Sequence, residues 1–94
     1  MKIKKLNKSE YEIETKEDLI YITREKNPDT INLGNNVYIR ESLYIYFIDI
    51  FEKYKSNEIY WGENFDDLDL AIDYIYDNYQ IPTKITDQIK FERN

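Results

Sequence analysis

Between Lys55 and Lys84 the chain carries seven acids and no base: Glu58, Glu63, Asp66, Asp67, Asp69, Asp73 and Asp77. The whole chain has a net charge of −6, so the rest of it sums to +1. The acidity is thus a local field, and a field of one sign suits a partner of the other. Tyr60, Trp61, Tyr74, Tyr76 and Tyr79 lie in the same stretch. Carboxylates interleaved with large amphipathic rings are suited to occupying a site built for nucleic acid.

Other chemistry has little to work with. There is no histidine, which removes the commonest general base and the commonest metal ligand, and no cysteine for a disulfide or thiol. Carboxylate pairs can run glycoside hydrolysis, but they need a cleft and one raised pKa, which a single exposed helix face does not supply. A calcium loop needs ligands at alternate positions, a mid-loop glycine and a glutamate at the twelfth position. Here Gly62 precedes the acids. No phosphate-binding glycine loop and no nucleophile motif is present. The expectation is a protein with no catalytic residues, no metal and no cofactor.

The elements that would position the acids follow from periodicity. Residues 65–79 predict a helix capped by Asn64. Leu68, Ala71, Ile72, Ile75 and Tyr79 fall on one side, and Asp66, Asp69, Asp73 and Asp77 on the other. Leu70 and Tyr74 lie at the edge of the acidic side. Asp69–Asp73 and Asp73–Asp77 are like-charge i, i+4 pairs, each costing roughly 0.2–0.5 kcal/mol. Asp66 and Asp67 suit the helix N-terminus, whereas Asp77 opposes the dipole at the other end. A face that served only solubility would mix signs.

Upstream, residues 2–6 and 10–14 predict strands joined at Lys8-Ser9. Thr15, with Asp18 three residues on, predicts the N-cap of a helix over 16–26, ending before Asn27-Pro28. Residues 30–33 predict a strand, and residues 41–54 a buried helix with Leu43, Phe47, Ile50, Phe51 and Tyr54 at helical spacing. Residues 58–61 predict another strand, with one ring of Tyr60-Trp61 buried and the other exposed beside Glu63. Residues 84–91 predict a last strand. The segment 31–36 echoes 59–64, suggesting two stacked βα units and a parallel pairing.

These elements predict one domain over 1–94: a small α/β sandwich of three to four strands, with a mainly parallel central pair and about three helices. No linker interrupts the chain, which has two glycines and two prolines. The basic start, Met-Lys-Ile-Lys-Lys-Leu, precedes no apolar leader-like run, and no run reaches spanning length, so a cytoplasmic location is expected. The Lys, Ile, Asn, Tyr, Glu and Asp bias is that of an AT-rich gene, as in bacterial or phage accessory genes.

The segment Tyr60-Trp61-Gly62-Glu63-Asn64-Phe65-Asp66-Asp67-Leu68 resembles the aromatic-aromatic-Gly-Glu-Asn-apolar-Asp-x-Leu segment of barstar-like ribonuclease inhibitors. Ile31 to Tyr54 is similar to that family's first strand and first helix, so the likeness covers about residues 31–72. The resemblance implies an acidic inhibitor that plugs the active site of a basic nuclease toxin. It would place Tyr60, Gly62, Asn64 and Asp66 on the binding loop and the start of the binding helix. The family continues with Trp-Asp after the leucine, where this chain has Asp69-Leu70, so the acid is displaced by one position.

The expected function is therefore non-catalytic binding, as an immunity protein or antitoxin acting on a cationic protein toxin, a nuclease. The expected partner-binding residues are Tyr60, Trp61, Glu63, Asn64, Asp66, Asp67, Asp69, Leu70, Asp73, Tyr74 and Asp77, with no direct nucleic-acid or membrane binding. The alternative is a phage-encoded nucleic-acid mimic that inhibits a host defence nuclease.

Overall fold

The computed structural model describes residues 1–27, 43–53 and 59–91, with the backbone alone at 59–61. Its elements are β1 (Lys2–Asn7), β2 (Glu10–Glu14), β3 (Asp18–Lys26), β4 (Tyr44–Glu52), β5 (Ile59–Phe65), α1 (Leu68–Tyr79) and α2 (Thr83–Thr86). The strands form one five-stranded sheet in the order β1-β2-β3-β4-β5. Every pairing is antiparallel.

The first two connections are tight turns, which only antiparallel neighbours permit. At the first, Ser9 N–H donates to Asn7 Oδ1 at 2.8 Å. At the second, Asp18 N–H donates to the Thr15 hydroxyl at 2.9 Å, and Thr15 N–H to the Asp18 carbonyl, also at 2.9 Å. Thr15 thus bonds the amide three residues on, as a helix cap would, but the bond closes a hairpin.

The α/β sandwich with a parallel central pair and three helices is therefore corrected to an antiparallel meander with two short helices. The expected helix over 16–26 is strand β3, and that over 41–54 contributes strand β4. In β4 both faces are apolar. Tyr44, Tyr46, Ile48 and Ile50 point one way, and Ile45, Phe47 and Phe51 the other, with Asp49 among them. An alternation whose two phases are both apolar hides its period of 2 and passes for a wide helical face. The Ile, Tyr and Phe content fits the strand.

The implied family helix within 31–54 is likewise a strand over Tyr44–Glu52. The strand expected at 30–33, and with it the first half of the internal echo, lies outside the described residues. The second half lies in β5, which pairs antiparallel with β4, so among the described residues no parallel pairing is formed. The strand expected at 84–91 begins instead as α2.

One face of the sheet forms the core. Ile13, Ile20, Ile22, Ile48 and Ile50 are fully buried there, beneath Ala71 and Ile75 of α1 and Ile81 and Ile89 beyond it. A buried side chain of this size contributes roughly 1.5–3 kcal/mol. The register places Lys2, Lys4, Glu10, Glu12, Glu14, Leu19, Tyr21, Thr23, Phe47, Asp49 and Phe51 on the opposite face. Neither α1 nor α2 packs there, because both belong to the core side.

Candidate functional site: the acidic strand-turn-helix unit

The acidic segment runs along β5, through a turn at Asp66-Asp67, into α1. Its orientation follows from burial. Ala71 and Ile75 are buried against β4 and β5, so the residues opposite them face outward. Asp66, Asp67, Asp69, Asp73 and Asp77 are all exposed. Asp69, Asp73 and Asp77 follow one another at i, i+4 on that outer side.

The helix begins later than the spacing predicts. Its N-cap is Asp67, in extended conformation, whose side chain accepts from Asp69 N–H at 2.7 Å. Phe65 completes β5 across from Tyr46, which delays the helix start. Asn64 is therefore no cap. It is a strand residue paired with Phe47, on the sheet face away from α1. Glu63, paired with Ile48, belongs to the helix-covered side but remains exposed. Its charge, together with burial as the larger cause, raises the pKa of Tyr74.

Leu70 is 56% exposed, so it can serve as an apolar contact beside the acids. Tyr74 is partly buried, its ring 5.2 Å from that of Phe65. It supports the unit from beneath rather than standing at its surface. Among the described rings of the unit the exposed one is Tyr76, at 50%. Tyr76 follows Asp69 by seven residues, which places it within about 20° of the same helical direction. That spacing was legible in the sequence. The side chains of Tyr60 and Trp61 lie outside the description, and their backbone continues β5 with Trp61 across from Ile50.

One cation approaches the start of the unit from a distant strand. The Arg24 guanidinium stands 4.3 Å from the centre of the Tyr44 ring and 5.2 Å from that of Phe91. Burial raises the Tyr46 hydroxyl pKa, Arg24 opposes that shift, and the charge of Asp67 adds to it. Arg24 therefore lies close to the end of the acidic surface where the helix starts. Pairing of β3 with β4 brings it there, and no local motif announces it.

Further along α1 the acids meet no described base. The C-terminal turn contains no lysine or arginine, so the carbonyl end of the helix dipole is left beside Asp77. Among the described residues, no group of three or more acids is placed to hold a metal ion. No helix there is long and apolar enough to cross a membrane. No protein-family model matches the chain, and no curated protein or solved structure matches it significantly.

Proposed function

We propose that this chain is a non-catalytic acidic inhibitor, an immunity protein or antitoxin that docks on a cationic protein toxin and covers the surface by which the toxin holds phosphates. The observation that carries the proposal is the outer side of α1. Asp69, Asp73 and Asp77 stand exposed there, with Asp66 exposed in the turn before the helix and Leu70 and Tyr76 among the acids, and the helix itself carries no basic residue. Such a helix side tolerates like-charge repulsion that mixed signs would remove. Desolvated contacts at Leu70 and Tyr76 would slow dissociation, while the carboxylates would steer association. The likeness of residues 60–68 to the inhibitor segment of barstar-like proteins supports a nuclease as the toxin.

The test uses the protein as bait in an extract of its own source cells, beside a variant with Asp66, Asp69 and Asp73 all changed to Asn. The wild type should capture a basic nuclease and abolish its activity at stoichiometric amounts, and the variant should do neither. Capture and inhibition by the variant at wild-type levels would refute the proposal. If the partner captured is a defence nuclease of the host of a phage carrying the gene, the nucleic-acid mimic is the right description.

A further inference from the structure

A second pair of acids, Glu10 and Asp49, stands on the sheet face turned away from α1. Glu10, Leu19, Tyr21, Asp49 and Phe51 line a shallow hollow of about 380 Å³ there. The hollow is ordered by its own contacts. The Tyr21 ring meets Phe51 edge to face, with centroids 5.5 Å apart. The Tyr21 hydroxyl donates to Glu12 Oε2 at 2.7 Å, and the Thr23 hydroxyl to Glu10 Oε2 at 3.1 Å. Asp49 is paired with Gly62 of β5, where a Cβ would stand 3.3 Å from Asp49 Oδ1. The missing side chain gives the Asp49 carboxylate room to lie over β5.

The charges on this face are unevenly satisfied. Lys53 binds Glu14 at 2.6 Å, and the register sets Lys4 across from Glu12. Among the described residues no cation forms an ion pair with Glu10 or Asp49. Burial raises the Asp49 carboxyl pKa, and the charge of Glu10 raises it further. An acid held at such a cost beside half-buried rings is the kind of feature that stability alone would remove.

We propose that this sheet face is a docking surface for an extended basic segment of a partner protein, which places a lysine or arginine side chain in the hollow between Glu10 and Asp49. The rings of Tyr21 and Phe51 would cover the alkyl part of that side chain, and the two carboxylates would face its charge. Charge decides the occupant. A second copy set hollow against hollow would bring its own Glu10 and Asp49 onto the same carboxylates, and like charges opposed across a surface disfavour association. The surface is separate from the acidic helix, and the inference does not depend on the function proposed for that helix.

The experiment follows backbone amide shifts of the full chain during titration with a short peptide alternating lysine and threonine. The same peptide with glutamate in place of lysine is the control. Saturable shifts are expected at Tyr21, Thr23, Asp49 and Phe51 with the lysine peptide alone. A variant carrying Glu10→Gln and Asp49→Asn should lose affinity roughly tenfold or more. The variant with Asp66, Asp69 and Asp73 changed to Asn should keep those sheet shifts, which separates this surface from the helix. Shifts confined to residues 66–77, equal binding of the glutamate peptide, or unchanged affinity of the double variant would overturn the proposal. Concentration-dependent shifts of Phe47 and Phe51 without peptide would overturn it in favour of a second copy. The two peptides compared on the wild type keep the test decisive even if the double variant fails to fold.

Discussion

The Tyr11 hydroxyl bonds both sides of Lys90: it donates to the Lys90 carbonyl at 2.8 Å and accepts from the Lys90 N–H at 3.2 Å. One phenol thereby fixes the segment after α2 against β2. The Tyr11 ring adds an edge-to-face contact with Phe91, at 5.4 Å between centroids. Tyr11→Phe keeps the ring and removes both hydrogen bonds. The expected loss is about 1–3 kcal/mol, since the Lys90 carbonyl and amide are left without this partner. Urea unfolding measures it, and amide exchange at Ile89–Phe91 should quicken in step. Unchanged stability would mean that water satisfies Lys90 equally well.

Asp49 provides a pH-dependent prediction. Its folded pKa is raised, chiefly by burial. The folded state therefore holds the proton more tightly than the unfolded state does. The penalty is absent below the ordinary aspartate value and complete above the folded one, so it grows as pH rises between them. Asp49→Asn should thus raise the melting temperature at neutral pH, and the gain should vanish once the solution is more acidic than the ordinary aspartate value. A melting temperature lowered at neutral pH would show that the charged form is stabilised by a contact of its own.

Gln80 ends α1 in the left-handed region, at φ 52°, with its N–H donated to the Tyr76 carbonyl at 2.8 Å. A non-glycine residue pays a steric cost there that glycine does not. Gln80→Gly should therefore stabilise the fold by up to about 1 kcal/mol in thermal unfolding. A destabilised variant would mean that the Gln80 side chain contributes more than the cap geometry costs.

The orientation of α1 is testable through three of its residues. Ile75 is fully buried and Leu70 is exposed. Ile75→Ala should cost about 2–5 kcal/mol, and Leu70→Ala within about 0.5 kcal/mol. Asp73→Asn relieves two like-charge neighbours and should be neutral or stabilising by at most about 1 kcal/mol. Denaturant melts of the three variants check the ranking, and a costly Asp73→Asn would make that carboxylate a structural partner.

The two N-terminal strands, their turn at Lys8-Ser9, and the inward and outward sides of α1 were legible in the sequence. β2 and α1 are amphipathic with a single clean period, and the polar Asn7-Lys8-Ser9 marks the turn before β2. Strands β3 and β4 were not. Leu19 to Thr23 and Tyr44 to Phe51 are apolar on both faces, so no alternation marks them. Thr15 offered a capping bond that a hairpin turn uses equally well. Reading 41–54 as a helix also hid Asp49, whose pairing with Gly62 and place beside Glu10 exist only in the antiparallel register. The acids of the β5-α1 unit were legible as a run. The place of Tyr76 beside Asp69 could have been read from their seven-residue spacing, but that of Asn64 could not, because it depends on β5 continuing to Phe65 and the helix starting at Leu68.

The central claim is that the exposed acids of the β5-α1 unit, from Asp66 to Asp77, carry recognition of a cationic partner. Its most direct test is the association rate with the captured partner, measured across a salt series for the wild type and for the variant with Asp66, Asp69 and Asp73 changed to Asn. At physiological salt, charges are screened over about 8 Å, so steering by exposed carboxylates weakens steadily as salt rises. The wild-type rate should fall steeply with salt, and the variant should associate slowly with a shallow salt dependence. A variant that associates at the wild-type rate with the same salt slope would contradict the claim and leave the acidic side of α1 as solvated surface.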